Sequence, residues 1–138
     1  MGLKLDQIIE TFKSVDPLMR VELLLDYARR LPPLAHRYHA QRDAGLYDVP
    51  ECQTPVFLVI ELGPDGVQIH VEVAEEAPTV KGFISILVDA LTGVPPQEVA
   101  HLPLDLIHRM GLDDLIRMNR AVGLTAILAR IKSGAAAA

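Results

Sequence analysis

One sulfur nucleophile exists in this 138-residue sequence, the thiol of Cys52. It stands in the run Val49-Pro50-Glu51-Cys52-Gln53-Thr54-Pro55-Val56-Phe57, between a polar stretch and an apolar one. A lone thiol closes no intrachain disulfide and builds no multi-cysteine metal site. Chemistry alone leaves two readings. A free cysteine is commonly a small buried hydrophobe. Otherwise Cys52 is the reactive atom of the protein, and its environment must then set how much thiolate exists. The Pro50-Glu51 step reads as loop, the usual seat of reactive groups. Thr54-Pro55 delays the following strand, which places the sulfur at a strand entrance. The nearest charge in sequence is Glu51, and a carboxylate facing a thiol raises its pKa. No Lys or Arg lies within several residues. Activation must come from a cation distant in sequence or from a partner. The pattern describes a thiol kept quiet until it docks.

The other chemistry-bearing residues form weaker patterns. His36 and His39 are spaced by three, but Pro32-Pro33 precedes them and the segment is expected to be irregular. His70 falls on the solvent face of an expected strand, and His101 and His108 fall near short helices. None has the context of a helical metal-binding motif, so no metal is expected. A Cys-His pair stays open, because such partners meet in space and not in sequence. Gly63-Pro64-Asp65-Gly66 joins two strands and does not lead into a helix, so it reads as a turn and not a phosphate cradle. Lys81-Gly82 lies in the first turn of a helix. There the glycine either allows close packing on the sheet or lets the Cys52 loop lie over the helix start, whose N–H groups favour a thiolate.

These residues need a scaffold. Half of the residues are hydrophobic, enough for one domain with a core, and with no Trp and 4% aromatics that core must be aliphatic. The net charge of −5 argues against nonspecific nucleic-acid binding, which needs concentrated cations. No apolar run is long enough for a membrane span. Acidic residues soon follow Met1, against an export signal, and Gly2 alone does not indicate lipidation. A cytoplasmic location is expected, in keeping with one unpaired cysteine.

Leu5, Ile8, Ile9 and Phe12 mark a first helix. Asp16-Pro17 opens a second, with Leu18, Val21, Leu24, Leu25 and Ala28 on one broad face, stopped by Pro32-Pro33. Residues 34–50 read as a loop with a short strand at 46–49. Residues 54–62 and 67–73 form an antiparallel hairpin, its second strand alternating Val67, Ile69, Val71 and Val73 with polar residues. A helix runs from 78 to about 92, a helical turn from 96 to 100, and a short helix from 104 to 110 closed by Gly111. Asn119 is expected to cap a last helix carrying Leu124, Ile127, Leu128 and Ile131. The class is α+β, a single domain in which a small antiparallel sheet of two to three strands packs against helices from both ends of the chain. The domain is expected over 1–132, with 133–138 a flexible tail.

Several segments, in order, resemble the SufE family of sulfur acceptors. They are Glu51 to Leu58, Ala77 to Phe83, Leu91 to Val99 with its Pro-Pro-Gln-Glu, and Arg120-Ala121-Val122-Gly123-Leu124 followed by Leu128 to Lys132. The stretch Tyr27-Ala28-Arg29-Arg30-Leu31-Pro32 fits as well. The resemblance implies a SufE/IscU-like fold with Cys52 as acceptor of sulfane sulfur. It implies a SufS-type cysteine desulfurase as donor, carrying its own pyridoxal phosphate, and an iron–sulfur scaffold complex as recipient. The chain itself would bind no cofactor and act as an accessory protein that stimulates the desulfurase, not as a free-standing enzyme. A homodimer is left open. Arg120 matches the family arginine before the Gly-Leu step, and Gln53 the residue after the cysteine. With Glu51 and Lys81 they are the expected residues of the partner interface or of thiolate support. The family often has Gly where this chain has Glu51, and Ser/Thr-Pro where it has Arg117-Met118. The competing readings are an iron–sulfur scaffold, which one cysteine disfavours, a thiol hydrolase needing a base beside Cys52, and an interaction module with a structural cysteine.

Overall fold

Leu5, Ile8, Ile9 and Phe12 are buried along one side of α1 (Leu3–Ser14), as their spacing predicts. The structure, a computed structural model, describes residues 3–74 and 78–137. Met1, Gly2, Ala138 and the Ala77 of the motif at 77–83 lie outside the described residues.

Helix α2 (Pro17–Arg30) begins at Asp16, whose carboxylate accepts from the Met19 N–H at 2.9 Å, with Pro17 in the first turn. Its buried face is narrower than expected. Leu24 and Ala28 are buried, whereas Leu18 is 81% exposed. Residues 34–50 are more regular than the sequence implies. A 3-10 turn (His36–Tyr38) leads into α3 (His39–Asp43), so the two prolines end one helix without preventing the next. The expected strand at 46–49 shrinks to one bridge, Asp48 to Phe57. The sheet therefore has two strands, β1 (Val56–Gly63) and β2 (Gly66–Val73), antiparallel, with Val56 opposite Val73 and Gly63 opposite Gly66. The β2 alternation holds: Val67, Ile69, Val71 and Val73 all face the core.

Helix α4 (Pro78–Leu91) follows, then α5 (Pro96–Ala100), α6 (Leu106–Arg109), shorter than expected, and α7 (Met118–Ala136). Gly111, at φ +70°, lies just beyond α6. The α7 N-cap is Arg117 and not Asn119, and the Arg117 side chain makes no capping bond; Asn119 lies inside the first turn, where its Oδ1 accepts from the Arg120 N–H at 2.9 Å. The expected tail is also corrected: α7 continues through Ala136, Ala135 is 2% exposed, and Gly134 lies against Ile60. An apolar contact every turn keeps that Ser-Gly-Ala stretch helical against the sheet.

Nine of the fourteen residues of α4 are buried, and it contacts α1, α2, β2 and α7. A helix apolar on nearly every side belongs in the centre of a fold. Gly82 is the point of closest approach to α2, where a Cβ would overlap the Leu24 carbonyl. The helix glycine thus serves packing against α2, neither against the sheet nor under the Cys52 loop. No described helix is long and apolar enough to cross a membrane.

The segment 36–49 is tied to the outer face of the hairpin. Arg37 donates twice to the Glu61 carboxylate, both at 2.8 Å, Tyr38 OH donates to it, and His70 Nε2 lies 2.8 Å from it. Arg42 reaches Glu72 at 2.7 Å. The rings of Tyr38 and Tyr47 pack on Phe57. Tyr47 adopts φ +60°, a left-handed conformation that costs about 1–2 kcal/mol for a side chain of this kind. Its carbonyl accepts from Leu58 N–H at 3.1 Å.

Hydrogen bonds from Arg37 and Tyr38 lower the Glu61 carboxyl from 4.5 to about 2. A lowered carboxylate pKa stabilises the fold fully above the unfolded value and loses that contribution as pH falls through the folded one. Acid titration of stability should therefore show a loss between about pH 4.5 and 2 that is diminished in Glu61→Gln. Urea melts across that range measure it.

Candidate functional site

Cys52 lies at the tip of a short loop with a fixed base. Val49 N–H donates to the Val56 carbonyl at 3.1 Å, and both residues are buried. Between them, Pro50 and Pro55 limit the backbone at each end of the excursion. Cys52 N–H closes a turn onto the Val49 carbonyl at 3.1 Å. The strand proper begins at Val56, so the sulfur sits before the strand entrance, as Thr54-Pro55 predicts.

The bed under this loop is α7. Gln53 Oε1 accepts from Asn119 Nδ2 at 3.3 Å, and Thr54 Oγ1 accepts from Arg120 Nη1 at 2.5 Å. Glu51 pairs with Arg130 at 3.3 Å. The thiol itself fits over Gly123: a Cβ there would stand 2.9 Å from Cys52 Sγ, 3.1 Å from its Cα and 3.3 Å from the Glu51 carbonyl. Four consecutive loop residues thus each meet one residue of a single helix. Cys52 is half-buried among core neighbours and is the free thiol.

Burial pushes the Cys52 thiol pKa up, and Glu51 adds to the rise. Arg130 and Arg120 pull it down by less. The sequence finds the raising charge and requires cations from afar, and α7 supplies two. They soften the rise without reversing it, so the resting thiol is protonated and a poor nucleophile.

Of the expected site residues, Glu51, Gln53 and Arg120 gather round Cys52. Lys81 does not: it lines depressions on the α2 side of α4, beside Leu25 and Arg29 and beside Leu31 and Val73. The charges acting on the thiol are Glu51, Arg130 and Arg120, and Lys81 is not among them. The thiol correspondingly packs on α7, and not on the start of α4. Arg120 is also less free than its place before the helix body implies, because its guanidinium is spent on a buried threonine. Asn119, Gly123 and Arg130 are the residues that sequence reasoning missed. Their one signal is spacing: positions 119, 123 and 130 recur on one helix face.

The histidines are engaged elsewhere. His36 and His39 stack edge-on at 4.8 Å, His70 meets Glu61, His101 Nδ1 lies 2.6 Å from the Gln97 carbonyl, and His108 Nδ1 lies 2.9 Å from Asp113. Among the described residues no histidine hydrogen-bonds to Cys52, and no group of three metal-ligating side chains occurs. A thiol hydrolase would need a base turned to the sulfur, and here the Glu51 carboxylate is paired with Arg130.

Gly123→Ala sets two effects against each other. Alanine gains about 1 kcal/mol of helix propensity over glycine. The added methyl crowds Sγ and forces the loop outward. Stability should stay within about 1 kcal/mol of the parent, while Cys52 alkylation by iodoacetamide accelerates several-fold. Arg120→Ala should behave differently. It leaves the hydroxyl of Thr54, 6% exposed, without its donor, a loss of about 1–3 kcal/mol in a urea melt.

A family model described as SufE, Fe-S metabolism associated domain, matches residues 6–135. A SufE-like protein of Mycobacterium tuberculosis is 36% identical over 129 residues, covering 93% of this chain and 88% of its own length. A Plasmodium vivax protein named as cysteine desulfuration protein SufE is 24% identical over 94% of this chain and 52% of its own. A solution structure of a Thermus thermophilus protein superposes with a TM-score of 0.87 at 33% identity, covering 99% of this chain and 96% of that one. With a single pinned thiol in this fold and a family match across nearly all of its length, the chain belongs to the SufE family.

Proposed function

We propose that Cys52 accepts sulfane sulfur from a cysteine desulfurase and carries it as a persulfide to an iron–sulfur assembly scaffold. The observation that carries this reading is the placement of the only thiol: on a loop with a buried base, half-covered by α7, and with its pKa raised. A carrier needs one accessible sulfur and no second thiol, since a neighbour would resolve the persulfide into a disulfide. It also needs cover, since an exposed persulfide is lost to other thiols.

The transfer is a thiol–persulfide exchange. The Cys52 thiolate attacks the terminal sulfur of the donor persulfide. A new S–S bond forms at Cys52, the donor S–S bond breaks, and the donor cysteine leaves as a thiolate. No net oxidation occurs. The pyridoxal phosphate chemistry that makes the donor persulfide belongs to the desulfurase. This chain contributes a nucleophile that ionises when docking replaces its resting surroundings. Removing the product sulfur from the donor lets the desulfurase turn over, which makes an acceptor of this kind an activator as well.

The exposed side of α7 fits a docking role beside the thiol. Met118 and Val122, one turn apart, are 84% and 56% exposed, and each adjoins a residue that holds the loop. Incubation with a SufS-type desulfurase and cysteine should add one sulfur atom to Cys52, detectable by intact mass and removed by a thiol reductant. Cys52→Ser should keep the fold, lose the added mass and fail to stimulate turnover. Full stimulation by the serine variant would refute the acceptor role.

A further inference from the structure

The two legs of the thiol loop are held with unequal strength. Downstream of Cys52, Thr54 is buried and bonded to Arg120, and Gln53 meets Asn119. Upstream, Glu51 is exposed, and its side chain is tied to Arg130, seven residues beyond Gly123 on the same face of α7. The two side chains are 43% and 45% exposed. An exposed ion pair shifts a local equilibrium by about fivefold at most and weakens with salt. A tie of that strength holds a loop down without making it hard to lift.

The geometry points to Arg130 as a positioning residue that, through Glu51, latches Cys52 against Gly123. A docking partner that offers Arg130 a carboxylate takes the place of Glu51 and releases the upstream leg, while the buried Thr54 keeps the downstream leg fixed. The use of the latch rests on Cys52 being the sulfur acceptor. The latch itself is a property of the free protein and is tested there.

Two consequences of losing Arg130 have opposite signs, which makes the test decisive. The charged groups acting on the thiol are Glu51, Arg130 and Arg120. As a charge alone, Arg130 favours the thiolate, so Arg130→Gln would raise the thiol pKa and slow alkylation at a fixed pH. As a latch, Arg130 limits access, so the same variant would speed the reaction of the fully ionised thiol. Iodoacetamide rates followed through the thiol titration separate the two, because the midpoint reports charge and the high-pH limit reports access.

The expected result is a limiting rate raised by roughly two- to fivefold in Arg130→Gln and in Glu51→Gln. Arg130→Lys should fall back towards the parent, and so should the charge-reversed pair of Glu51→Arg with Arg130→Glu. High salt should raise the limiting rate of the parent and leave that of Arg130→Gln unmoved. Both residues are exposed, so the variants should keep the parent circular dichroism spectrum. A limiting rate in Arg130→Gln that is unchanged or lower, with a shifted midpoint alone, overturns the latch, as does failure of the reversed pair to slow the reaction again. Neither result bears on sulfur acceptance, which is decided by the mass gained at Cys52.

Discussion

A helix with almost no side to give to water must be surrounded, and α4 imposes that requirement on the whole chain. The first two helices, the hairpin and the last helix each cover part of it. Gly82 lets α2 approach until backbone meets backbone. Aliphatic burial of this kind contributes about 25 cal/mol for each Å² removed from water, and it explains how the fold manages without tryptophan and with few aromatic rings. It also lays α7 against β1, with Gly134 beside Ile60, which is what places the start of that helix under the loop of Cys52.

Around the sulfur, the competing influences differ in kind. Burial and one carboxylate favour the thiol, and two guanidinium groups favour the thiolate. One arginine is turned to a buried hydroxyl and the other to the carboxylate itself, so neither directs a hydrogen bond at the sulfur. A site intended for unaided catalysis would have its cations and base aimed at the nucleophile. Here they hold the nucleophile's surroundings in place. In the proposed role the chemistry is switched on from outside, when a docking partner changes the solvent and charge around Cys52.

What the sequence made legible follows from what each signal depends on. Period-two alternation in β2 and the Asp16-Pro17 start of α2 are local, and both appear as read. The weight on Cys52, Glu51 and Gln53 was also legible, because those residues are consecutive. Of the bed on α7, Arg120 was legible through the motif at 120–124, but Asn119, Gly123 and Arg130 were not, since they depend on how a helix sixty-six residues after the loop packs back onto it. The motif at 120–124 contains Gly123, yet a glycine gives no sign of which sulfur fills the space above it. Lys81 shows the reverse case: a cation at a helix start is plausible thiolate support until α4 turns that start towards α2. The tail failed for a similar reason. Ser, Gly and Ala read as fraying, but a small residue is what lets the end of α7 lie close to Ile60.

The pin between Val49 and Val56 also limits distance. Its base lies in the core, and Cys52 is three residues from one anchor and four from the other. A fully extended chain advances about 3.3–3.6 Å per residue, so the sulfur can swing no farther than about 10 Å from the base of its loop, plus the length of its own side chain. For the acceptor role proposed above, a donor sulfur must be delivered inside that radius. One held deeper in a cleft would be unreachable unless the rim of the cleft admitted the end of this molecule along with the loop. Thus the tether does more than restrain a thiol: in that role it sets how deep a mouth this protein could feed from.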